Sequence, residues 1–347
     1  MMYTRRSFGK LAIASGTAAA FVRPAKMFAA GKPDSKINGV QIGVISYSYR
    51  QMPEFTAPAV LRYAVQNGIN AVELENVQEQ WAGAPTRPMM GQPPGPGGAP
   101  RGPGAPPVAS QGGASGGGMR RQMTPEQQAA MAKFTSEMTA FRTSVPMSKY
   151  EELRRMYADQ GVKIYAFKAA ITMPMSDAEC DAIFNAAKAC GADQLTMEMP
   201  DGQPDLTKKI GSLAEKHKMM VGYHAHLQAT PTTWDEAMAQ SAYNGINLDL
   251  GHFVAAGNTP DEALTFVKKN HAEITSMHLK DRKSKANGGA NVPWRQGDTP
   301  IVQALQLMRK EGYTFPATIE LEYTIPAGSD SVQEVGKCYA YAKSALV

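Results

Sequence analysis

MMVGYHAH at 219–226, INLDLGH at 246–252 and ITSMHLKD at 274–281 share one form: a short apolar run that ends in imidazole, carboxylate or ammonium groups. Helical patterns at 232–241 and 260–270 fill the gaps between them. Short continuous strands separated by amphipathic helices imply a parallel sheet buried on both faces. The same unit recurs in both directions. Upstream, the strand candidates are 41–48 (QIGVISYS), 71–75 (AVELE), 163–170 (KIYAFKAA) and 194–199 (QLTMEM); downstream there is 317–323 (ATIELEY). Helical patterns at 56–67, 147–160, 176–190, 205–217, 299–311 and 329–346 alternate with them. Eight strand–helix units over 38–347 predict an α/β chain folded as a single (β/α)8 TIM barrel rather than an open doubly wound sheet. Ser176, Asp205 and Thr259-Pro260 stand where helix caps are expected.

Two segments break this rhythm. Residues 1–30 open with TRRSFGK (4–10), followed by small and apolar residues from Leu11 to Val22. This resembles a twin-arginine export signal, with Gly9 where leucine is more usual. It predicts passage through the twin-arginine translocase to the periplasm or beyond, with cleavage near Ala29 or Ala30. The apolar run is shorter than the roughly 20 residues that span a bilayer, so no transmembrane segment is expected in the mature chain. The second segment, 82–123, is dense in Gly, Pro and Met and poor in branched aliphatic residues. It cannot bury enough surface to offset its ordering entropy and is expected to be a disordered insertion after the second strand. Residues 124–142, opening with Thr-Pro, are expected to form an extra helix.

The 347 residues, 43% hydrophobic and 19% charged, can build a sizeable core. The net charge of +5 belongs to the leader, since residues 1–30 hold five basic residues and no acid. Without it the charges balance, leaving no attraction for a nucleic-acid backbone. Three cysteines, two of them ten residues apart on one predicted helix, exclude a disulfide scaffold and a cysteine zinc cluster.

Active sites of such barrels form at the C-terminal strand ends. There the fourth strand has Glu198. The fifth has His224 and His226, and the sixth has Asp249 followed by His252. The seventh has His278 and Lys280, and the eighth Glu320 and Glu322. Alternation puts His224 with His226, His278 with Lys280, Glu320 with Glu322 and Asp249 with Asn247 on shared faces. Each alone can be a buried ion pair or a capped strand end. Four consecutive strands supplying imidazole, carboxylate, imidazole and carboxylate point to a divalent-cation site. His217 and His271 sit at helix ends and read as solvated surface.

Here the sequence resembles the xylose isomerase-like barrels of the sugar phosphate isomerase/epimerase superfamily. The resemblance covers roughly 40–75 and 147–346. It is carried by the INLDLGH and SMHLKD runs, by GDTPI (297–301), and by GYTFPATIELE (312–322), in which Glu320 follows Tyr313 by seven residues. It implies one divalent metal held by His224, Asp249, His278 and Glu320. Two imidazoles with two carboxylates suit manganese, cobalt or zinc better than calcium. The chain departs from the family at strand five, where many epimerases have a ligating glutamate and this chain has His224. Proton exchange by a pair of glutamates is therefore in question, and Glu198, Glu322, Lys280 or His252 are the candidates for the second acid–base group.

The resemblance implies a sugar isomerase or epimerase acting through an enediolate. Expulsion of a β-substituent from the same intermediate would instead make a 3-keto-glycoside lyase. Export favours a free sugar, keto-sugar or glycoside over a sugar phosphate. Trp294, Arg295 and His226 are candidates to contact that carbohydrate. A non-catalytic sugar-binding barrel is the reading from a different class. The superfamily's three-zinc apurinic endonucleases need histidines on strands two and three, which this chain lacks. Homo-oligomers are compatible with the sequence.

Overall fold

The computed structural model describes residues 31–88 and 123–347. The leader and most of the Gly/Pro/Met-rich segment thus lie outside the described residues. Eight parallel strands pair in chain order: β1 (Val40–Ile45), β2 (Ala71–Glu75), β3 (Lys163–Lys168), β4 (Gln194–Glu198), β5 (Met220–His224), β6 (Asn244–Asp249), β7 (Ile274–Leu279) and β8 (Ala317–Ile319). β8 returns to β1, with Ile42, Gly43 and Val44 opposite Ala317, Thr318 and Ile319. The sheet closes, and the predicted (β/α)8 barrel is the fold. A two-residue strand without a sequence signal, Lys36–Ile37, folds back antiparallel onto Gln41 and Val40.

The outer layer is formed by α1 (Ala57–Gln66), α2 (Val77–Ala82), α3 (Pro125–Ser144), α4 (Ser148–Asp159), α5 (Asp177–Ala189), α6 (Pro204–His217), α7 (Asp235–Gln240), α8 (Leu250–Ala256), α9 (Pro260–Asn270), α10 (Ile301–Glu311) and α11 (Ser331–Leu346). Strand residues such as Val44, Val72, Leu195, Val221, Leu248 and Met277 are wholly or almost wholly buried and share one core with helix residues such as Ile183, Ile210, Phe266 and Leu305. Burying each large aliphatic side chain contributes about 1.5–3 kcal/mol. Ser176 caps α5 and Thr259 caps α9, the latter in a reciprocal box with Glu262. Asp205 does not cap; it lies inside α6, which begins one residue earlier with Pro204 at a position that needs no amide donor.

Three elements differ from the sequence pattern in ways that matter for the site. The eighth strand ends at Ile319 rather than at 323. Beyond it, the chain is held by side chains of the first loop. Ser48 Oγ donates to the Ile319 carbonyl at 3.1 Å and accepts from the Leu321 amide at 3.1 Å, and Arg50 Nη1 donates to the Leu321 carbonyl at 2.6 Å. Helix α8 follows β6 directly, because Asp249, the last residue of the strand, is also the cap of the helix. The expected extra helix is α3, capped by Thr124 with Gln127. Met138 is its only buried residue, and its Arg142 ties it to α2 and α5 through Glu79 at 2.8 Å and Glu179 at 3.1 Å. Among the described residues, no helix is long and apolar enough to cross a membrane.

Candidate active site

His224, Asp249, His278 and Glu320 come together at the C-terminal strand ends. All four are buried, and each offers a ligand atom within 4.8 Å of the others. Metal–ligand distances of about 2.0–2.2 Å place opposed ligands up to about 4.4 Å apart, so small side-chain adjustments suffice to enclose one ion. The fit is supported by Asp249, whose Oδ2 is buried and accepts no hydrogen bond. Its other oxygen, Oδ1, accepts from the His252 amide at 2.6 Å and so caps α8. One carboxylate thus starts the helix with one oxygen and turns the other, which accepts no hydrogen bond, toward the site.

The ring nitrogens that face away from the cluster are also occupied. His224 Nδ1 donates to Asn247 Oδ1 at 2.7 Å, and the same amide donates to Ser276 Oγ at 2.7 Å, which fixes its orientation. That leaves His224 Nε2 toward the cluster, 4.0 Å from Asp249 Oδ2. His278 lies between two carboxylates, with Nδ1 2.9 Å from Glu320 Oε2 and Nε2 2.7 Å from Glu73 Oε2. Glu73, the middle residue of β2, is fully buried in the barrel interior, although alternation alone does not say which face of its strand is inward.

Lys280 crosses the mouth of the cluster. Its ammonium lies 2.9 Å from Glu320 Oε2, 2.8 Å from Glu322 Oε2 and 3.0 Å from Asp249 Oδ2, the last without hydrogen-bond alignment. Gly251 permits this packing, since a Cβ there would meet Lys280 Cγ at 2.5 Å and the Lys280 carbonyl oxygen at 2.6 Å. His252 is on the first turn of α8, not on the strand end. Its Nδ1 is 2.5 Å from Arg282 Nη1, its Nε2 2.9 Å from Lys280 Nζ and 3.6 Å from Glu322 Oε2.

These contacts determine charge. Burial pushes His224 down to about 3, so its ring is neutral and available as a ligand. Burial also opposes charge on His278, but Glu73 and Glu320 overcome it and raise the ring to about 10. His252 is held well below the usual range by burial and then by Lys280. Burial would also discharge Lys280, but Asp249, Glu320 and Glu322 raise it above the ordinary lysine range. Glu320 is held well below the carboxylate range: Lys280 and His278 outweigh its burial.

A second polar group forms the opposite wall. Lys168 Nζ is 2.9 Å from Glu198 Oε1 and 3.8 Å from Glu75 Oε1, and His226 Nε2 is 3.2 Å from Glu198 Oε2. His226 and Glu198 are about half exposed, whereas Lys168 is nearly buried. The His226 ring is 5.0 Å from His224 and 4.6 Å from His252, so it spans the two walls. The sequence reading missed Glu75, whose Oε2 is buried without a partner, and missed Lys168. Each is the last residue of its strand, β2 and β3, whose apolar runs are the stronger sequence signal.

Trp294 and Arg295 are not brought to the cluster. They line a separate cavity of about 580 Å³ with Tyr323 and Tyr341, and none of the four ligating candidates lines it. Trp294 is 7% exposed and meets Tyr341 edge-on at 6.1 Å. His217 also departs from expectation. It is buried, stacks on Phe184 at 4.7 Å and contacts Asp181 at 2.7 Å, because the last turn of α6 packs on α5. His271 is exposed, as expected, and stacks on Tyr313 at 4.7 Å.

Comparisons with known proteins agree on the architecture. A sugar phosphate isomerase/epimerase from Parabacteroides distasonis is 13% identical and superposes with a TM-score of 0.54, covering 89% of this chain and 96% of its own. The 3-keto-D-glucoside 4-epimerase YcjR of E. coli, in its apo form, gives 10% identity and a TM-score of 0.55 over 88% of this chain and 99% of its own. The IolI protein with a bound zinc atom gives 11% and 0.55 over 89% and 99%. At these identities the likeness is one of fold. No curated protein matches the sequence. The family model for the xylose isomerase-like TIM barrel matches residues 128–337, well over half of the chain, and the chain belongs to that family.

Proposed function

We propose that this protein is a divalent-metal-dependent isomerase or epimerase acting on a free sugar, keto-sugar or glycoside. The observation that carries this reading is the buried quartet His224, Asp249, His278 and Glu320, with an Asp249 Oδ2 that accepts no hydrogen bond. When bound, the ion would supply Lewis-acid stabilisation of the negative charge that develops on adjacent sugar oxygens as a carbon-bound proton leaves. Manganese, cobalt and zinc suit this donor set.

The protein's own residues would then divide the work. Glu198 on β4 and Glu322 beyond β8 stand half a turn of the barrel apart in strand order, one beside Lys168 and one beside Lys280. Carboxylates on two walls can remove a proton from one side of a substrate and return one from the other. That arrangement favours isomerisation or epimerisation over the lyase reading, which needs only one base and a leaving group. It also answers the absence of a strand-five glutamate, because the second carboxylate comes from elsewhere. Lys280 would stand near the developing oxyanion, and neutral His252 would reach the substrate as a further acid–base group. His226, half exposed between the walls, would contact the sugar. Trp294 and Arg295 line a different cavity and would not reach a sugar held at the quartet.

Export through the twin-arginine route to the periplasm remains part of the proposal and rests on residues 4–10 alone. The reaction is tested by incubating the metal-loaded protein in heavy water with a panel of free sugars and 3-keto-glycosides and following deuterium uptake by NMR. Exchange at a carbon next to the carbonyl is expected. Uptake with loss of the aglycone would establish the lyase, and bound metal with no exchange in any compound would sink the enzyme reading.

A further inference from the structure

Glu73 stands on β2, on the far side of the barrel from the cluster's own strands, and is fully buried. Its Oε2 accepts from Tyr165 at 3.1 Å and faces His278 Nε2 at 2.7 Å, while Oε1 accepts from Thr196 at 2.5 Å. The Tyr165 hydroxyl is in turn 2.5 Å from Thr318 Oγ1. Because the single tyrosine proton goes to Glu73, Thr318 is the donor in that last pair. One carboxylate thus gathers hydrogen bonds from β3, β4 and β7, and β8 joins through Tyr165. A buried carboxylate is costly unless paired. Among the groups bonded directly to it, His278 is the one that can carry a proton it stabilises. An interior filled for packing alone would be better served by a neutral side chain.

The two sides of the His278 ring are therefore unequal. Nδ1 faces Glu320 and, through it, Lys280 and Asp249. Nε2 faces only the Glu73 layer. From this geometry we infer that Glu73 is a positioning residue of the metal site: it holds the proton of His278 on Nε2 and so presents Nδ1 as the ligand atom. His224 is presented through the opposite nitrogen, Nε2, by the neutral amide of Asn247. The two histidines are thus oriented by partners of different charge, and the charged one makes its ring the more basic donor. This inference rests on the quartet being a metal site, as proposed above.

Zinc alone is the probe. In the zinc-loaded wild type, labelled with ¹⁵N-histidine, the His278 ring should show a proton on Nε2 and metal on Nδ1, and the His224 ring the reverse. A His278 ring metallated on Nε2 overturns the inference, and this measurement needs no variant. Glu73→Gln keeps the shape and removes the charge. It should weaken zinc binding by about 10–100-fold in a competition titration, whereas Asn247→Asp, which gives His224 a charged partner, should bind zinc at least as tightly as the wild type. Native folding of Glu73→Gln with wild-type zinc affinity also overturns the inference. A wild type that takes up no zinc is a different failure, since it removes the metal site itself.

Discussion

The ammonium of Lys280 and the carboxylate of Asp249 lie 3.0 Å apart with almost no exposure of either side chain. Asp249 is one of the four ligating candidates, so a protein cation sits beside the place where a divalent ion would bind. Without the ion, Lys280 is the main counter-charge for Asp249, Glu320 and Glu322.

Replacing that cation therefore has a metal-dependent cost. Lys280→Met should destabilise the metal-free protein by about 3–5 kcal/mol, the range for removing one partner of a buried ion pair. With saturating manganese or zinc the loss should shrink, because the ion takes over the compensation. Urea unfolding of both proteins, with and without metal, checks this. An equal loss in both conditions would mean that Lys280 and the ion do not share their carboxylates.

Glu320 and His252 should separate in their effects. Ion at about 100 times its dissociation constant should stabilise the wild type by about 2.7 kcal/mol, and Glu320→Gln should abolish most of that gain together with turnover. His252→Ala should keep the gain and lower turnover about 10²–10⁴-fold, the range for a lost acid–base group. A His252→Ala protein that no longer responds to metal would make His252 a ligand.

Glu198 sets a pH dependence. The Lys168 ammonium outweighs desolvation and holds its carboxyl down to about 2, below its ordinary value of 4.5. A carboxyl depressed on folding contributes stability that is complete above pH 4.5 and is lost as the pH falls toward 2. The side chain is 53% exposed, so screening should keep the contribution under about 1 kcal/mol. The stability of Glu198→Gln should therefore fall less steeply than that of the wild type across this window, and the two curves should run parallel above it. Parallel curves throughout would show that Lys168 does not hold the carboxylate in solution.

The leader reading is tested by location. Replacing both Arg5 and Arg6 with Lys should trap the protein in the cytoplasm in a folded form, as seen by fractionation and protease protection. Unchanged export of the double variant would assign residues 4–10 another role.

What the sequence by itself determined is the barrel and the strand ends that carry its chemistry. Apolar runs such as INLDL and ITSMHL, each followed by a helix-length amphipathic stretch, allow few arrangements other than a parallel closed sheet. Closure brings the last residues of consecutive strands together, so His224, Asp249, His278 and Glu320 could be grouped without coordinates. Contacts across the barrel are another matter. Glu73 is about two hundred residues from His278, and no local period records that its strand faces β7 through the interior. The same holds for Ser48 and Arg50, which fix the Glu320 segment after its ladder ends, and for His252, which a direct strand-to-helix junction places on α8. Trp294 shows the converse: its place in the loop after the seventh strand suggests the barrel mouth, and only the packing of that loop on α11 sets the ring against Tyr341. Periodicity reports which side of its own element a residue occupies. Which group it meets there depends on how distant elements pack, and only the tertiary structure decides that.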